Sequence, residues 1–322
     1  MADYINIYGQ DILAVASDPA NPTVGQIWYN TTSNTLKGGG VTTAGSWASG
    51  GNLNTARTGL GGAGIQTAAL AFGGDVGPAS NATEEYNGAS WTTSGNLVTA
   101  RKFPAGAGIQ TAALAFGGEV PPDLNSTEIY NGSTWTTSPA TLATARHLLG
   151  GIGNTSAALA FGGQGPKTAS TEEYDGSTWT AGGNLNTARS YLAGTGIQTA
   201  GLAFGGTDLV PAFTAATEEY DGSAWTTVSS MNTARIGLAA SVSGTQSASL
   251  GFGGSTPPVT GATEKYDGIS WATETSMSTA RSVLAGAGTQ SAALAFGSGS
   301  PGNATEEFTG AGSPLTVTIT AS

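Results

Sequence analysis

Short runs of small and apolar residues alternate with turn-forming residues along most of this chain. In the run of residues 68 to 72, Leu70 and Phe72 share one face of an extended strand, while Ala69 and Ala71 share the other. This follows because successive side chains of a strand point to opposite sides. Strands with one large face and one small face are predicted to form sheets that nest against each other.

The same pattern recurs six times with a period of 43 to 48 residues. One repeat predicts a Gly- and Ala-rich first strand at residues 59 to 64, a second at 68 to 74 and a third from Thr83 to Tyr86. Asn87-Gly88 then predicts a tight hairpin into a fourth strand that starts at Trp91. Helical periodicity is absent, so the sequence predicts an all-β fold.

Four markers keep their place in every repeat. A Thr-Ala-Arg motif contains every arginine of the chain: Arg57, Arg101, Arg146, Arg189, Arg235 and Arg281. The recurring tryptophans are Trp47, Trp91, Trp135, Trp179, Trp225 and Trp271. The recurring phenylalanines, each followed by glycine, are Phe72, Phe116, Phe161, Phe204, Phe252 and Phe296. A Thr-Glu-x-aromatic block ends at Tyr86, Tyr130, Tyr174, Tyr220, Tyr266 and Phe308.

A four-stranded unit with a large apolar face needs neighbours on both sides, and a ring of such units leaves only short edges. We therefore predict an all-β, six-bladed propeller with four-stranded blades. The Trp47 strand precedes the first complete repeat, and the repeat of Arg281 ends at its third strand near Phe308. We expect the Trp47 strand to close the ring. The alternating run from Leu315 to Thr320 is a competing or additional strand, and an open β array is the alternative architecture.

Three segments follow from this interpretation. Residues 1–40 form a docking segment, residues 41–310 form the propeller, and residues 311–322 add a C-terminal strand. Within the first segment, Trp28 and Leu36 are predicted to anchor a hairpin around a turn from Thr31 to Asn34.

Two resemblances refine this picture. The Gly-Gly pair after the second strand, the Tyr, the Trp five residues later and the Arg resemble the Kelch repeat over about residues 41–310. This resemblance implies a propeller fold found in many binding proteins and in galactose oxidase-like enzymes. The strings Asn-Leu-Asn-Thr-Ala-Arg and Gly-Ala-Gly-Ile-Gln-Thr-Ala resemble repeats of predicted virion proteins of marine bacteriophages. The segment from Gly25 to Lys37 resembles a short segment of phage tail and fibre proteins.

Composition argues against several classes of function. Only 10% of the residues are charged, and the net charge of −11 disfavours direct binding to nucleic acid. The chain has no cysteine, which excludes disulfides and Cys-ligated metals. Residues 1 to 9 do not have the pattern of a signal peptide, and we see no apolar run long enough to span a membrane. We expect synthesis in a host cytoplasm and a final location in the virion.

The arginines and the first glutamate of each third strand are the obvious charged residues. These glutamates are Glu84, Glu128, Glu172, Glu218, Glu264 and Glu306. Because Glu84 shares strand parity with Tyr86, we expect it to face a blade interface and to pair with an arginine there. A ring of six arginines that grips an anion is the alternative. The next position carries Glu85, Glu173, Glu219 and Glu307 but also Ile129 and Lys265, and this tolerance predicts exposure to solvent.

The sequence contains few candidate catalytic residues. Glu84 and Glu85 are adjacent in a strand, so their carboxylates cannot converge as glycoside hydrolysis requires. His147 is the only histidine, and the copper site of galactose oxidase-like enzymes needs two histidines and a Cys-linked tyrosine. We therefore expect no enzymatic activity, no metal and no cofactor.

The loops that join the second and third strands vary most, and binding residues tend to lie on loops of a rigid scaffold. Drift in unconstrained loops is the alternative explanation. The predicted ligand-binding residues are Asp123, Lys167, Asp208, Leu209 and Phe213.

The leading hypothesis is a non-enzymatic bacteriophage virion protein, associated with a tail or fibre, whose propeller recognises a host-surface glycan or protein. Residues 1–40 would bind other virion proteins, and several copies per particle would raise avidity. No nucleic acid and no membrane insertion are expected. A purely structural capsid or tail decoration protein and an intracellular Kelch adaptor that binds a protein partner are the alternatives.

Overall fold

A computed structural model describes residues 12–20, 25–41, 44–208, 212–298, 302–312 and 314–319. The chain divides into two compact units. One comprises Ser46–Thr309, and the other comprises Met1–Gly45 with Gly310–Ser322. The described residues form seven four-stranded sheets and no helix. The fold is all-β, as predicted, and its repeated sheets are consistent with a β-propeller.

Six antiparallel sheets, here called sheets 1 to 6 in chain order, make up the unit Ser46–Thr309. Sheet 1 contains β5 (Gly61–Ile65), β6 (Ala68–Phe72), β7 (Thr83–Tyr86) and β8 (Trp91–Ser94). Sheet 2 contains β9 (Ala105–Ile109), β10 (Ala112–Phe116), β11 (Ser126–Tyr130) and β12 (Trp135–Thr141). Sheet 3 contains β13 (Gly150–Gly153), β14 (Ala158–Phe161), β15 (Thr171–Tyr174) and β16 (Trp179–Ala181).

The remaining repeats follow the same order. Sheet 4 contains β17 (Ala193–Ile197), β18 (Ala200–Phe204), β19 (Thr217–Tyr220) and β20 (Trp225–Val228). Sheet 5 contains β21 (Ala239–Ala240), β22 (Ser249–Phe252), β23 (Thr263–Tyr266) and β24 (Trp271–Glu274). Sheet 6 contains β25 (Ala285–Thr289), β26 (Ala292–Phe296), β27 (Thr305–Thr309) and β4 (Ser46–Ser49).

Sheet 6 joins residues from both ends of its unit. Strand β4 pairs antiparallel with β27, and Trp47 is opposite Phe308. The first strands of the six sheets contact each other in sequence, and β25 of sheet 6 contacts β5 of sheet 1. The Trp47 strand therefore occupies the fourth position of the last sheet, where the sequence predicted it.

The large face of each sheet packs against the small face of the next. Leu70 and Phe72 of sheet 1 share a buried cluster with Ala113 and Ala115 of sheet 2. At all six interfaces the recurring phenylalanine lies 4.8 to 5.1 Å, between ring centroids, from the tryptophan of the next sheet. The predicted alternation of large and small faces explains this nesting.

Each tryptophan also makes a polar contact across the same interface. Its Nε1 donates to the Oγ1 of a threonine in the third strand of the preceding sheet, over 2.9 to 3.1 Å. The pairs are Trp91–Thr305, Trp135–Thr83, Trp179–Thr127, Trp225–Thr171, Trp271–Thr217 and Trp47–Thr263. A buried indole N–H needs such a partner, since leaving it unpaired is costly.

Glycine in the first strands permits close approach between neighbouring sheets. A Cβ on Gly106 of β9 would lie 2.6 Å from the carbonyl oxygen of Gly62 and 2.7 Å from Cζ of Phe72. Strand β9 therefore has no room for a side chain at Gly106.

The other unit contains one mixed sheet. Its strands are β1 (Leu13–Val15), β2 (Ile27–Asn30), β3 (Thr35–Val41) and β28 (Pro314–Thr318), with β1 parallel to β2. The predicted hairpin is present as β2 and β3. Trp28 is fully buried, and Leu36 is half-buried. The C-terminal strand pairs with β3, so it does not take the place of β4 in sheet 6.

Asp18 organises the polar side of this sheet. Its carboxylate accepts hydrogen bonds from Trp28 Nε1, Asn30 Nδ2 and Lys37 Nζ over 2.6 to 3.0 Å. These donors, Lys37 first, lower the pKa of Asp18 to about 2.

Candidate functional site

One edge of the repeat sheets carries the loops between second and third strands together with the links that enter the first strands. We call it the loop edge. In five of the six repeats an isolated bridge ties a residue of the link to a residue of the loop, as between Thr58 and Asp75 or between Lys102 and Glu119. Constant residues hold the sheets behind this edge, and the sequence differences between repeats collect on it.

The six arginines are buried behind the loop edge. Each Nη2 lies 2.5 to 3.0 Å from Oε1 of the glutamate on the third strand, and each arginine side chain is 0% exposed. The pairs are Arg57–Glu84, Arg101–Glu128, Arg146–Glu172, Arg189–Glu218, Arg235–Glu264 and Arg281–Glu306. Burial lowers the pKa of each arginine from its usual value, and the facing carboxylate offsets part of that effect.

The other hydrogen bonds of these arginines and glutamates are also made within the protein. Nη1 of Arg101 donates to the carbonyl oxygens of Gly117 and Ser126, and Glu128 accepts the backbone N–H groups of Val98 and Thr99. The guanidinium and the carboxylate thus both bind groups of the protein itself, so a soluble anion has no access to the guanidinium.

The second glutamates are not solvated as the sequence predicted, and that expectation is wrong. They are half-buried, and each accepts a hydrogen bond from the tyrosine hydroxyl of the next sheet. The pairs are Tyr86–Glu307, Tyr130–Glu85, Tyr220–Glu173 and Tyr266–Glu219. Two of the six interfaces lack one or both members of this pair.

These two interfaces differ in what they have lost. Lys265 replaces the glutamate of sheet 5, and Phe308, which has no hydroxyl, replaces the tyrosine that would face it. Ile129 replaces the glutamate of sheet 2, but Tyr174 remains, and its buried hydroxyl has no hydrogen-bond partner among the described residues. Lys265 instead pairs with Glu274 on the adjacent strand.

This difference gives a matched pair of substitutions. Tyr130→Phe removes a hydrogen bond to a carboxylate and should lower the free energy of unfolding by about 1.5–3 kcal/mol. Tyr174→Phe removes a hydroxyl without a partner and should not lower it. Guanidinium denaturation of both variants measures the difference, and equal losses would contradict the assignment.

The same tyrosines predict a loss of stability in alkali. Burial first, and then Glu85, raise the pKa of Tyr130 to about 12. An unfolded tyrosine has a pKa of about 10, so the folded state holds this proton more tightly than the unfolded state. The resulting contribution to the free energy of unfolding is fully present below pH 10 and is lost as the pH rises toward 12.

The predicted ligand-binding residues lie on three different loops. Asp123 lies on the loop of sheet 2, Lys167 on that of sheet 3, and Asp208 and Phe213 on that of sheet 4. Leu209 lies outside the described residues. Asp123 lies 3.0 Å, Oδ1 to Nδ1, from His147, but the two groups are not aligned as a hydrogen bond. Lys167, Asp208 and Phe213 are half-buried.

A ring of backbone hydrogen bonds connects the six links on the loop edge. Each N–H in the ring donates to the carbonyl of the preceding link over 2.6 to 3.3 Å, and the last returns to the first. The residues, each two positions after an arginine, are Gly59, Phe103, Leu148, Tyr191, Gly237 and Val283. We call them the axial ring. The sequence analysis did not single them out.

The axial ring surrounds a shallow cup. All six residues have φ between 52° and 59°, the left-handed region in which glycine is favoured. The cavity at the ring has a volume of about 90 Å³ and a floor that includes Leu60, Leu149 and Leu238. Phe103, Leu148, Tyr191 and Val283 are half-buried around it.

Polar groups stand near the aromatic side of the cup. The rings of Phe103 and His147 are 6.1 Å apart between centroids. Burial raises the pKa of Tyr191, and the negative charge of Glu119 raises it further. The lining of the cup is therefore apolar and aromatic, with the Tyr191 side chain in it and the His147 imidazole beside Phe103.

The space between the first strands is obstructed beyond the cup. Sheet 5 has two more residues between its arginine and phenylalanine than the other sheets. Within this longer segment Val242 lines that space, and Ser243 Oγ donates to the carbonyl oxygen of Gly64 over 2.7 Å.

Comparison with protein-family models and with curated proteins gives no match. The described residues contain no group of three or more acidic, His or Cys side chains placed to hold a metal ion. In the same part of the chain, no helix is long and apolar enough to cross a membrane.

Proposed function

We propose that the unit Ser46–Thr309 is a closed, six-bladed propeller of the Kelch type. The cyclic hydrogen bonds of the axial ring support this, as do the six tryptophan–threonine contacts and the pairing of β4 with β27. Each proposed blade keeps the Gly-Gly or Gly-Ser, aromatic, Trp and Arg positions that resemble the Kelch repeat. Closure would remove exposed sheet edges and give a rigid disc.

We propose further that the protein is a non-enzymatic recognition protein of a bacteriophage particle and that it binds a host-surface glycan through the loop edge. One observation carries the recognition role: the recurring arginines and first glutamates are committed to the scaffold, while sequence differences collect on one edge. The virion assignment rests on the resemblance of the repeats and of residues 25–37 to phage proteins. The N-terminal segment would attach the propeller to the particle.

Electron microscopy with an antibody against the full chain tests this function. We expect label at tail or fibre tips of particles that encode the full chain, and loss of label when residues 1–38 are deleted. Label spread over the capsid shell would contradict recognition and favour decoration. Equal label on particles with the deletion would contradict the docking role of the N-terminal segment.

A further inference from the structure

The four side chains of the axial ring occupy positions that favour glycine. A left-handed backbone is uncommon for residues other than glycine and is an outlier for a β-branched residue such as Val283. Gly59 and Gly237 occupy the equivalent positions of sheets 1 and 5 with the same φ and the same ring hydrogen bonds. The scaffold therefore does not require a side chain at this position.

Strained residues that the scaffold does not need point to a function at that place. The side chains are also grouped, since Phe103, Leu148 and Tyr191 belong to the consecutive sheets 2, 3 and 4. Phe103 leans over Gly59, where a Cβ would lie 2.3 Å from its ring. The cup is thus asymmetric, although the repeats behind it are nearly identical.

The chemistry around these side chains selects a class of ligand. Aromatic and aliphatic groups suit the C–H face of a pyranose ring, and carboxylates are strong acceptors for sugar hydroxyls. Tyr191 places a phenol in the lining, His147 lies beside Phe103 with ring centroids 6.1 Å apart, and the Asp123 carboxylate lies 3.0 Å beyond it, Oδ1 to Nδ1, at the margin of the cup. With a net charge of −11, the protein repels anionic sugars.

We propose that the axial cup is a binding site for a neutral hexose, with Phe103 and Tyr191 as its principal contacts. This inference rests on the proposed glycan recognition and gives it a site. The cup is shallow, so a terminal sugar would lie across it with one face on the side chains. Affinity per site would be low, and display of several copies would compensate.

The test uses the full chain on an array of oligosaccharides that end in neutral hexoses, sialic acid or uronic acids, followed by calorimetric titration of the best binder. We expect binding to a neutral hexose. Phe103→Gly and Tyr191→Gly should each weaken it about tenfold or more. Because glycine suits these φ values, melting temperatures should stay within about 4 °C of the parent chain.

Val98→Ala is the matched control, since Val98 is apolar, exposed and on the same edge, and it should bind like the parent chain. If the parent binds but the glycine variants bind equally well, the cup is not the site, and glycan recognition stands. If the folded parent chain binds no sugar, both proposals fail. Preference for sialic or uronic acids would overturn the neutral class.

Discussion

Glu128→Gln is expected to lower the free energy of unfolding by about 3–5 kcal/mol, because it strands the charge of Arg101 inside the protein. Both side chains of this pair are 0% exposed, and Nη2 lies 2.5 Å from Oε1. Glutamine keeps the shape of the side chain but retains only one oxygen, whereas Glu128 accepts the N–H of Val98 on Oε2 and the N–H of Thr99 on Oε1. The loss therefore reports the missing charge together with one lost hydrogen bond.

Two further variants separate this effect from general damage. Asp75→Asn breaks the partly exposed ion pair between Asp75 and Lys102, and it should cost no more than about 1 kcal/mol. Joint replacement of Arg101 and Glu128 by glutamine should cost less than Glu128→Gln alone, since no charge is then left unpaired and both side chains keep hydrogen-bonding groups. Guanidinium denaturation measures the free energy of unfolding of all three variants. A loss below about 1 kcal/mol for Glu128→Gln would contradict the structural role of this ion pair.

Trp47→Ala is expected to destabilise the unit Ser46–Thr309 by about 3–5 kcal/mol. The indole packs against Phe252 and Phe308, with ring centroids 5.1 Å apart in both cases, and donates to Thr263 and to the carbonyl of Thr275.

The matched control is Trp91→Ala, which alters the equivalent strand of sheet 1. If β4 is an integral strand of sheet 6, the two losses will be similar. A loss for Trp47→Ala far below that for Trp91→Ala would mean that the end strand frays.

The repeat made most of the fold predictable. Alternation within residues 68–72 gave the two faces of each sheet, and the truncated repeats at Trp47 and Arg281 indicated which strand completes the last sheet. The parity of Glu84 and Tyr86 placed this glutamate at an interface, where the structure pairs it with Arg57. These features depend on strand geometry, which residue spacing determines directly.

The contacts between sheets were harder to predict. Variation at Glu85 and its equivalents predicts exposure, but the four glutamates at this position accept from a tyrosine hydroxyl of the next sheet. Of the two exceptions, Lys265 faces Phe308, which has no hydroxyl, whereas Ile129 faces Tyr174, so the partner residue accounts for only one of them. The axial ring was missed for a related reason. The second residue after each arginine varies between repeats, from Gly59 to Val283, and this variation is visible in the sequence. No sequence feature reliably predicts a left-handed backbone at a residue other than glycine.

The most direct test of the proposed closed propeller is a disulfide between the two ends of the unit Ser46–Thr309, in a chain that has no cysteine of its own. Ser46 and Thr309 are paired Cα partners of β4 and β27, and both are exposed, so their spacing suits a disulfide. With cysteine at both positions, we predict complete loss of free thiols under mild oxidation and a higher melting temperature that reductant reverses. Cysteines at Ser94 and Thr309 should not crosslink within the chain. Persistent free thiols in the Ser46/Thr309 variant, with the parent's melting temperature, would contradict closure of the ring by the N-terminal strand.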